Sequence, residues 1–550
     1  MLRSDFQHSR DCEDCEWEGY SMAESPPSPE DELRPCWDPR REKCVPVLDG
    51  EGRPEEVTLV AALRDADNLL GISAPTPGET VALLEYLLAI CYSYPEFPDG
   101  DDELRELVYG GGLLQDVAKW LDEEQLDEEW NLFHATQPLG QNCLLSPYLD
   151  EHGVGPAQLV IEHAGDYNQF FDHHHLAHPT PLPAAAAFRA MLTQHAFGPS
   201  GRARISGKET LGPALTNLGA GRLSGRIRVV ALGRTLRETL LINLAPVEGH
   251  PGTFNRTWTV SPQPRRGFRA KAQGRHVEGP ADLHTVLGRS ILLRPAVDDR
   301  GELVVDRVLL AAGEVLDPLP AHHMRDAVYE QARDGTRRPL RPSPSRALWC
   351  EAHALYAAVV EHRDTWDLYH RLAQLSDLRI NLWAVGMIAK HTSVLTWVSD
   401  TFPFVPGREA DLRHAAERGS GIAEYVAGCL SRAAYVAWTI TYPNPKPADK
   451  QGQLARFDAS PEHWAHAADP FHTLLERVTA AGEGEGDEVH AAVVEYAAEL
   501  AHAARRFLRN RLDPLPADSR GHRARAQAAR RLEADFTGPD APDELKEDPQ

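Results

Sequence analysis

The stretch Arg337-Arg338-Pro339-Leu340-Arg341-Pro342-Ser343-Pro344-Ser345-Arg346 divides two textures of sequence. Three prolines within ten residues rule out a continuous helix or a central strand across it. Downstream, residues 347–375, 408–441, 469–481, 488–512 and 520–535 are rich in Ala, Leu and Arg, with apolar positions at helical spacing. Upstream, from about residue 130, short β-branched runs at 226–232, 290–293 and 303–311 alternate with loops rich in Gly, Pro and Arg. Residues 235–244 are apolar and fit either helix or strand. The expected fold class is α+β. A large mixed α/β N-terminal domain (34–345) precedes a C-terminal helix bundle of four-helix type (346–535). A disordered acidic extension (1–33) and an acidic tail (536–550) flank them.

Nearer the N-terminus, residues 44–63 (CVPVLDGEGRPEEVTLVAAL) predict strand, turn, strand and short helix. Pro77-Gly78-Glu79-Thr80 predicts a helix start, and VALLEYLLAICY (81–92) is apolar on nearly every side, so that helix should be buried. Residues 101–129 predict an acidic amphipathic helix pair with Leu104, Leu107, Val108, Leu113, Leu114, Val117 and Trp120 facing inward.

The chain has 550 residues and a formal net charge of −25. Most of that charge sits in residues 1–60 (net −9), 97–131 (net −10) and 535–550 (net −5). The other 439 residues are therefore near neutral and have room for local basic patches. Eight cysteines are too few for a disulfide scaffold. The first 20 residues contain no apolar leader, and Val81–Tyr92 is short and interrupted by Glu85. No membrane association and a cytoplasmic location are expected. Cys12 and Cys15 lack the second pair that a zinc site needs, and no metal or cofactor is expected.

Enzyme signatures fail on spacing. Gly201–Glu209 approaches a phosphate-binding loop, but five residues separate its glycines and Glu209 replaces the magnesium-binding hydroxyl. His362-Arg363-Asp364 has no Asn at the kinase spacing. The tract Phe170-Phe171-Asp172-His173-His174-His175, with His178, is either a polar surface loop or a transition-metal site. The metal alternative would make the chain a metal-dependent hydrolase. Three stretches are locally basic: 201–234 (Arg202, Arg204, Lys208, Arg222, Arg226, Arg228, Arg234), 264–276 (including Lys271) and 333–346. Each offers guanidinium forks suited to phosphate, although 49 Arg against eight Lys also fits a merely solubilising surface.

Seven segments, in order, resemble the CasA family, the large subunit of the type I-E CRISPR surveillance complex Cascade. They begin at Cys44-Val-Pro-Val-Leu-Asp-Gly, Trp130-Asn-Leu-Phe-His-Ala-Thr-Gln-Pro-Leu-Gly-Gln, Asn168-Gln-Phe-Phe-Asp-His, Gly233-Arg-Thr-Leu-Arg-Glu-Thr and Gly279-Pro-Ala-Asp-Leu-His-Thr with Arg289. Ser345-Arg-Ala-Leu-Trp349 and Gly386-Met-Ile-Ala-Lys-His-Thr-Ser-Val complete the set. The resemblance implies a non-enzymatic subunit that reads the motif flanking an RNA-guided target (PAM), opens the DNA and helps recruit a helicase-nuclease. Its implied partners are the other Cascade subunits, CRISPR RNA and double-stranded target DNA.

By the same resemblance, Gly198, Pro199, Ser200 and Gly201 form the loop that probes the minor groove, beside Arg202 and Lys208. Arg307, at the start of the strand VLLAAG, or its rival Lys271, is the cationic finger. Lys390, His391 and Thr392 form the strand-splitting wedge. Asn168, Phe170 and Phe171 dock guide RNA and neighbouring subunits. Two plain alternatives stand beside these: a simple turn at 198–201, and a polar turn between a strand (378–385) and a helix at 390–393. A diverged member without PAM function is a further reading.

Overall fold

The computed structural model describes residues 35–98, 100–124, 127–163, 180–206, 211–247, 249–258, 274–319, 328–331, 337–343, 347–361, 372, 374–375, 378–390, 393–444, 446, 449–481 and 486–547. The chain opens as its sequence predicts. Strands β1 (Val45–Asp49) and β2 (Pro54–Val57) form a hairpin, helix α1 (Leu59–Arg64) follows, and β3 (Leu69–Ile72) pairs with the other edge of β1. Helix α2 (Pro77–Tyr92) starts where Thr76 accepts the Glu79 N–H, with proline in its first turn. Its apolar residues cover all sides because other elements surround it, and even Glu85 is buried. The acidic segment forms α3 (Asp101–Gly110) and α4 (Leu113–Glu123). Leu104, Val108, Leu113, Leu114 and Val117 are buried, and Leu107 and Trp120 pack half-buried against the same core.

Helix α5 (Ala184–Phe197) runs to the candidate loop, and β4 (Ile227–Leu232) follows it. The ambiguous stretch 235–244 resolves as helix α6 (Leu236–Asn243), because Thr235 caps Glu238 N–H and the Glu238 carboxylate returns to Arg234. Strands β5 (Arg289–Val297) and β6 (Leu303–Ala312) form a long antiparallel pair with a register shift between Val305 and Arg307.

After the proline-rich stretch, helix α7 (Ala352–Glu361) precedes a second long hairpin, β7 (Ile380–Lys390) and β8 (Ser393–Phe404). A strand therefore follows residue 392 where a helix was the plain alternative. Residues 393–404 (SVLTWVSDTFPF) are β-branched and aromatic, which suits a pleated, half-buried surface. Strand β7 also pairs antiparallel with β4, so the change of texture at 337–346 does not separate the sheets. Cys36–Gln550 is one compact unit.

The bundle comprises α7, α8 (Glu409–Thr441), α9 (Ser460–Ala480), α10 (Gly486–Leu512) and α11 (Ser519–Phe536), packed around α8. Small residues let α9 approach α8 closely. A Cβ on Gly419 would lie 3.0 Å from Leu474 and 3.2 Å from Phe471. Helix α9 begins nine residues before the expected 469, because its buried face (His463, Ala467, Phe471, Leu474) runs on past Pro470. The acidic tail is docked: Ala541 and Glu544 are buried, and Arg418 makes a bidentate pair with Glu544 at 2.7 and 2.5 Å. Among the described residues, no helix is long and apolar enough to cross a membrane.

Candidate nucleic-acid interface

Helix α5 ends at Phe197 and the chain turns outward at Gly198, whose N–H still reaches Gln194 O at 3.0 Å. Gly198 and Pro199 are buried, whereas Ser200, Gly201 and Arg202 are exposed. The return strand fixes this loop from the side. Gly201–Arg202 pairs antiparallel with Asn217–Leu218, Gly221 N–H donates to Gly198 O at 2.8 Å, and Leu223 N–H donates to Ala196 O at 2.9 Å. Gly221 is required by close approach, since a Cβ there would lie 2.6 Å from Ala196 O.

Under the loop lies Arg289, the first residue of β5, 1% exposed. Its Nη1 donates to Gly219 O at 2.6 Å and Gly288 O at 2.9 Å, and its Nη2 donates to Pro199 O at 2.7 Å. Burial lowers this guanidinium to about 10. His195 sits beside it. Its Nε2 donates to Gly140 O at 2.9 Å, and its Nδ1 accepts the Arg289 backbone N–H at 3.3 Å, which fixes one neutral tautomer. Burial pushes His195 down to about 4, outweighing the Gly140 bond, and the Arg289 charge lowers it further.

That depression has a sign. Between pH 6.5 and 4 the unfolded chain binds a proton that the folded chain refuses, so stability falls as pH falls through this window. The expected loss reaches roughly 3 kcal/mol. Urea unfolding at pH 7 and pH 4.5 should show a smaller pH dependence for His195→Gln than for the wild type. Equal slopes would contradict the assignment.

The base of the loop joins the second hairpin. Phe197 meets Trp397 of β8 edge-on, with centroids 4.9 Å apart and planes at 88°. Trp397 donates Nε1–H to Glu162 at 2.8 Å and lies across Gly78, where a Cβ would sit 2.3 Å from the indole. Trp397 pairs with Met387, and Lys390 pairs with Ser393 at the hairpin's end. That end is therefore ~10–13 Å beyond the Phe197 contact. Lys390 is exposed there, while His391 and Thr392 lie outside the described residues.

The other sequence-predicted residues divide. Arg202 is exposed on the loop and Arg204 is half-buried. Arg222 and Arg228 are not surface phosphate ligands, as their basic stretch suggested. Both are buried against Glu85, with Arg228 Nε 3.1 Å from its carboxylate. Burial alone would raise the Glu85 carboxyl, but Arg222, His284 and Arg228 hold it well below the usual range. Arg234 pairs with Glu238, and Arg275 pairs with Asp282 and Glu314 at 2.6 and 3.1 Å.

Arg307 does not start a strand. It lies midway along β6, donates to Asp150 O, and its side chain fills the space where a Cβ on Gly153 would stand, 2.7 Å away. Its side chain is thus engaged with the C-terminal end of the helix Ser146–His152. Lys208, Lys271, Asn168, Phe170, Phe171, the His tract, Cys12, Cys15 and His362–Asp364 lie outside the described residues. Among the described residues, no group of three His, Cys, Asp or Glu side chains could hold a metal ion.

Sequence reasoning assigned no role to Arg289, His195 or Trp397. The available signal was an arginine opening a mostly apolar strand (Arg289-Ser290-Ile291-Leu292-Leu293), an unusual residue to bury without a reason.

Comparison with known proteins adds the lineage. A protein from Thermus thermophilus described as CRISPR-associated protein CasA/Cse1 is 27% identical over 405 residues, covering 69% of this chain and 75% of that one. The solved structure of Thermus thermophilus CasA (Cse1) superposes with a TM-score of 0.70 at 21% identity, covering 91% of this chain and 99% of the other. A chain of a structure described as a CRISPR RNA-guided surveillance complex gives 0.66 at 20% identity, covering 91% and 100%. At such identities the structural likeness is one of fold. The family model for CRISPR-associated protein Cse1 matches residues 41–509, and the chain belongs to that family.

Proposed function

We propose that this chain is the non-catalytic large subunit of a cytoplasmic RNA-guided DNA surveillance complex of the Cascade type. It reads the PAM, opens the duplex beside it and helps recruit the helicase-nuclease that degrades the target. The observation that carries this reading is the pairing of an exposed Ser200-Gly201-Arg202 tip with an exposed hairpin end, both braced by the Phe197–Trp397 contact.

A glycine tip is slim enough for a minor groove about 6 Å wide, where the donor and acceptor pattern is degenerate and choice of flanking sequence is permissive. Arg202 stands ready for a flanking phosphate. At the hairpin, Lys390 and Thr392 contact the backbone while the His391 imidazole enters the opened base step. Asn168, Phe170 and Phe171 dock the CRISPR RNA end and the neighbouring Cascade subunits, with an aromatic ring against an unpaired base. The chain itself needs no cofactor, since the cutting belongs to the recruited helicase-nuclease.

Two substitutions separate these steps. Gly201→Asp puts a carboxylate against the polyanion and is expected to weaken binding of PAM-flanked duplex at least ~10-fold, about 1.4 kcal/mol. His391→Ala is expected to weaken binding to intact duplex but not to a duplex already mismatched beside the PAM. Filter binding at fixed salt, with guide-loaded complexes, reads both. Wild-type behaviour of both variants would refute the proposal.

A further inference from the structure

Arg289 is buried, yet among the described residues no carboxylate pairs with it; its terminal nitrogens bond only to backbone carbonyls, and its Nε has no partner. A buried charge without a counter-charge is costly. The geometry indicates what the charge is for. Two of the three carbonyls belong to the loop (Pro199) and to the residue just past its return strand (Gly219).

A trans peptide is planar, with its C=O and N–H on opposite sides. Turning the Pro199 and Gly219 carbonyls inward therefore turns the N–H groups of Ser200 and Ala220 outward. Both residues are exposed, and neither N–H has an acceptor among the described residues. Gly198 is matched to this arrangement, since a Cβ there would lie 2.5 Å from Arg289 Nη2 and 2.7 Å from its Cζ.

We propose that Arg289 is a positioning residue that sets these two peptide planes, so that the Ser200 and Ala220 N–H groups face the acceptors on the minor-groove edges of the duplex. This rests on the PAM-reading proposal and adds its hydrogen-bond donors. Only a planar fork with two terminal nitrogens reaches both sides of the loop at once; an ammonium reaches one.

The test uses full-length chain carrying Arg289→Lys or Arg289→Met, assembled with guide-loaded companion subunits. The probes are target duplexes randomised at the flanking positions, plus an unrelated duplex for non-specific binding. Both variants are expected to lose at least 10-fold in affinity for the preferred flank and most of the discrimination between flanks, with non-specific affinity unchanged. Lysine, although it keeps the charge, should not rescue. If arginine acts only by charge, lysine restores discrimination and the inference fails. If either variant weakens every duplex equally, the effect is a general structural one and the inference fails. Should Arg289→Met not assemble, Arg289→Lys decides alone. Discrimination that survives in both variants while Gly201→Asp abolishes it overturns the role of Arg289 and leaves the PAM-reading proposal standing. A wild-type complex without flank dependence overturns both.

Discussion

Replacing Glu85 with leucine is expected to destabilise the protein by about 3–5 kcal/mol, the usual consequence of removing one partner from a buried ion pair. Glu85 points from α2 into a site where Arg222 and Arg228 are almost wholly buried, with His284 Nδ1 3.6 Å from its other oxygen. Leucine removes the carboxylate and leaves both guanidiniums in low dielectric. Arg228 lies in β4, the strand onto which the β7–β8 hairpin is paired, and Arg222 precedes it, so the damage reaches the candidate interface. Glu85→Gln should lose less, because an amide oxygen still accepts one hydrogen bond. Urea unfolding monitored by tryptophan fluorescence measures both variants. A loss below ~1 kcal/mol for leucine would mean that other groups compensate the arginines.

The second large effect is expected at Gly198. Alanine there places a Cβ 2.5 Å from both Gln194 O and Arg289 Nη2, and the first of these is helical backbone that cannot yield cheaply. The loop must shift. Flank-dependent duplex affinity should fall at least ~10-fold, about 1.4 kcal/mol, with assembly into the complex intact. Binding assays on flank-matched and flank-scrambled duplexes distinguish this from general damage. Equal affinities of Gly198→Ala and wild type for the matched duplex would show that the loop tolerates the shift.

Much of the fold was legible because its local rules agree with one another. The β1–β2 hairpin, the Thr76-capped α2 and the helices of the bundle follow from turn residues, caps and apolar period. Three of the segments that carried the family resemblance prove to be structural keystones. Gln141 bonds Leu132 O and the Leu293 N–H, Thr235 and Glu238 cap α6, and Asp282 anchors Arg275 and Asn255.

What the sequence concealed depends on long-range placement. A run of arginines at 222–234 reads as a basic surface until α2 brings Glu85 beneath two of them. Arg307 reads as a strand-leading cation until the register of β6 puts it in mid-strand against Asp150. Arg289 acts on residues 90 positions away, beyond the reach of any local pattern.

The most direct test of the central claim is duplex binding by guide-loaded companion subunits with and without this chain, at one salt concentration, across a set of flanking sequences. Adding the chain is expected to confer affinity that depends on the flank. Affinity that is unchanged, or raised equally for every flank, would contradict it.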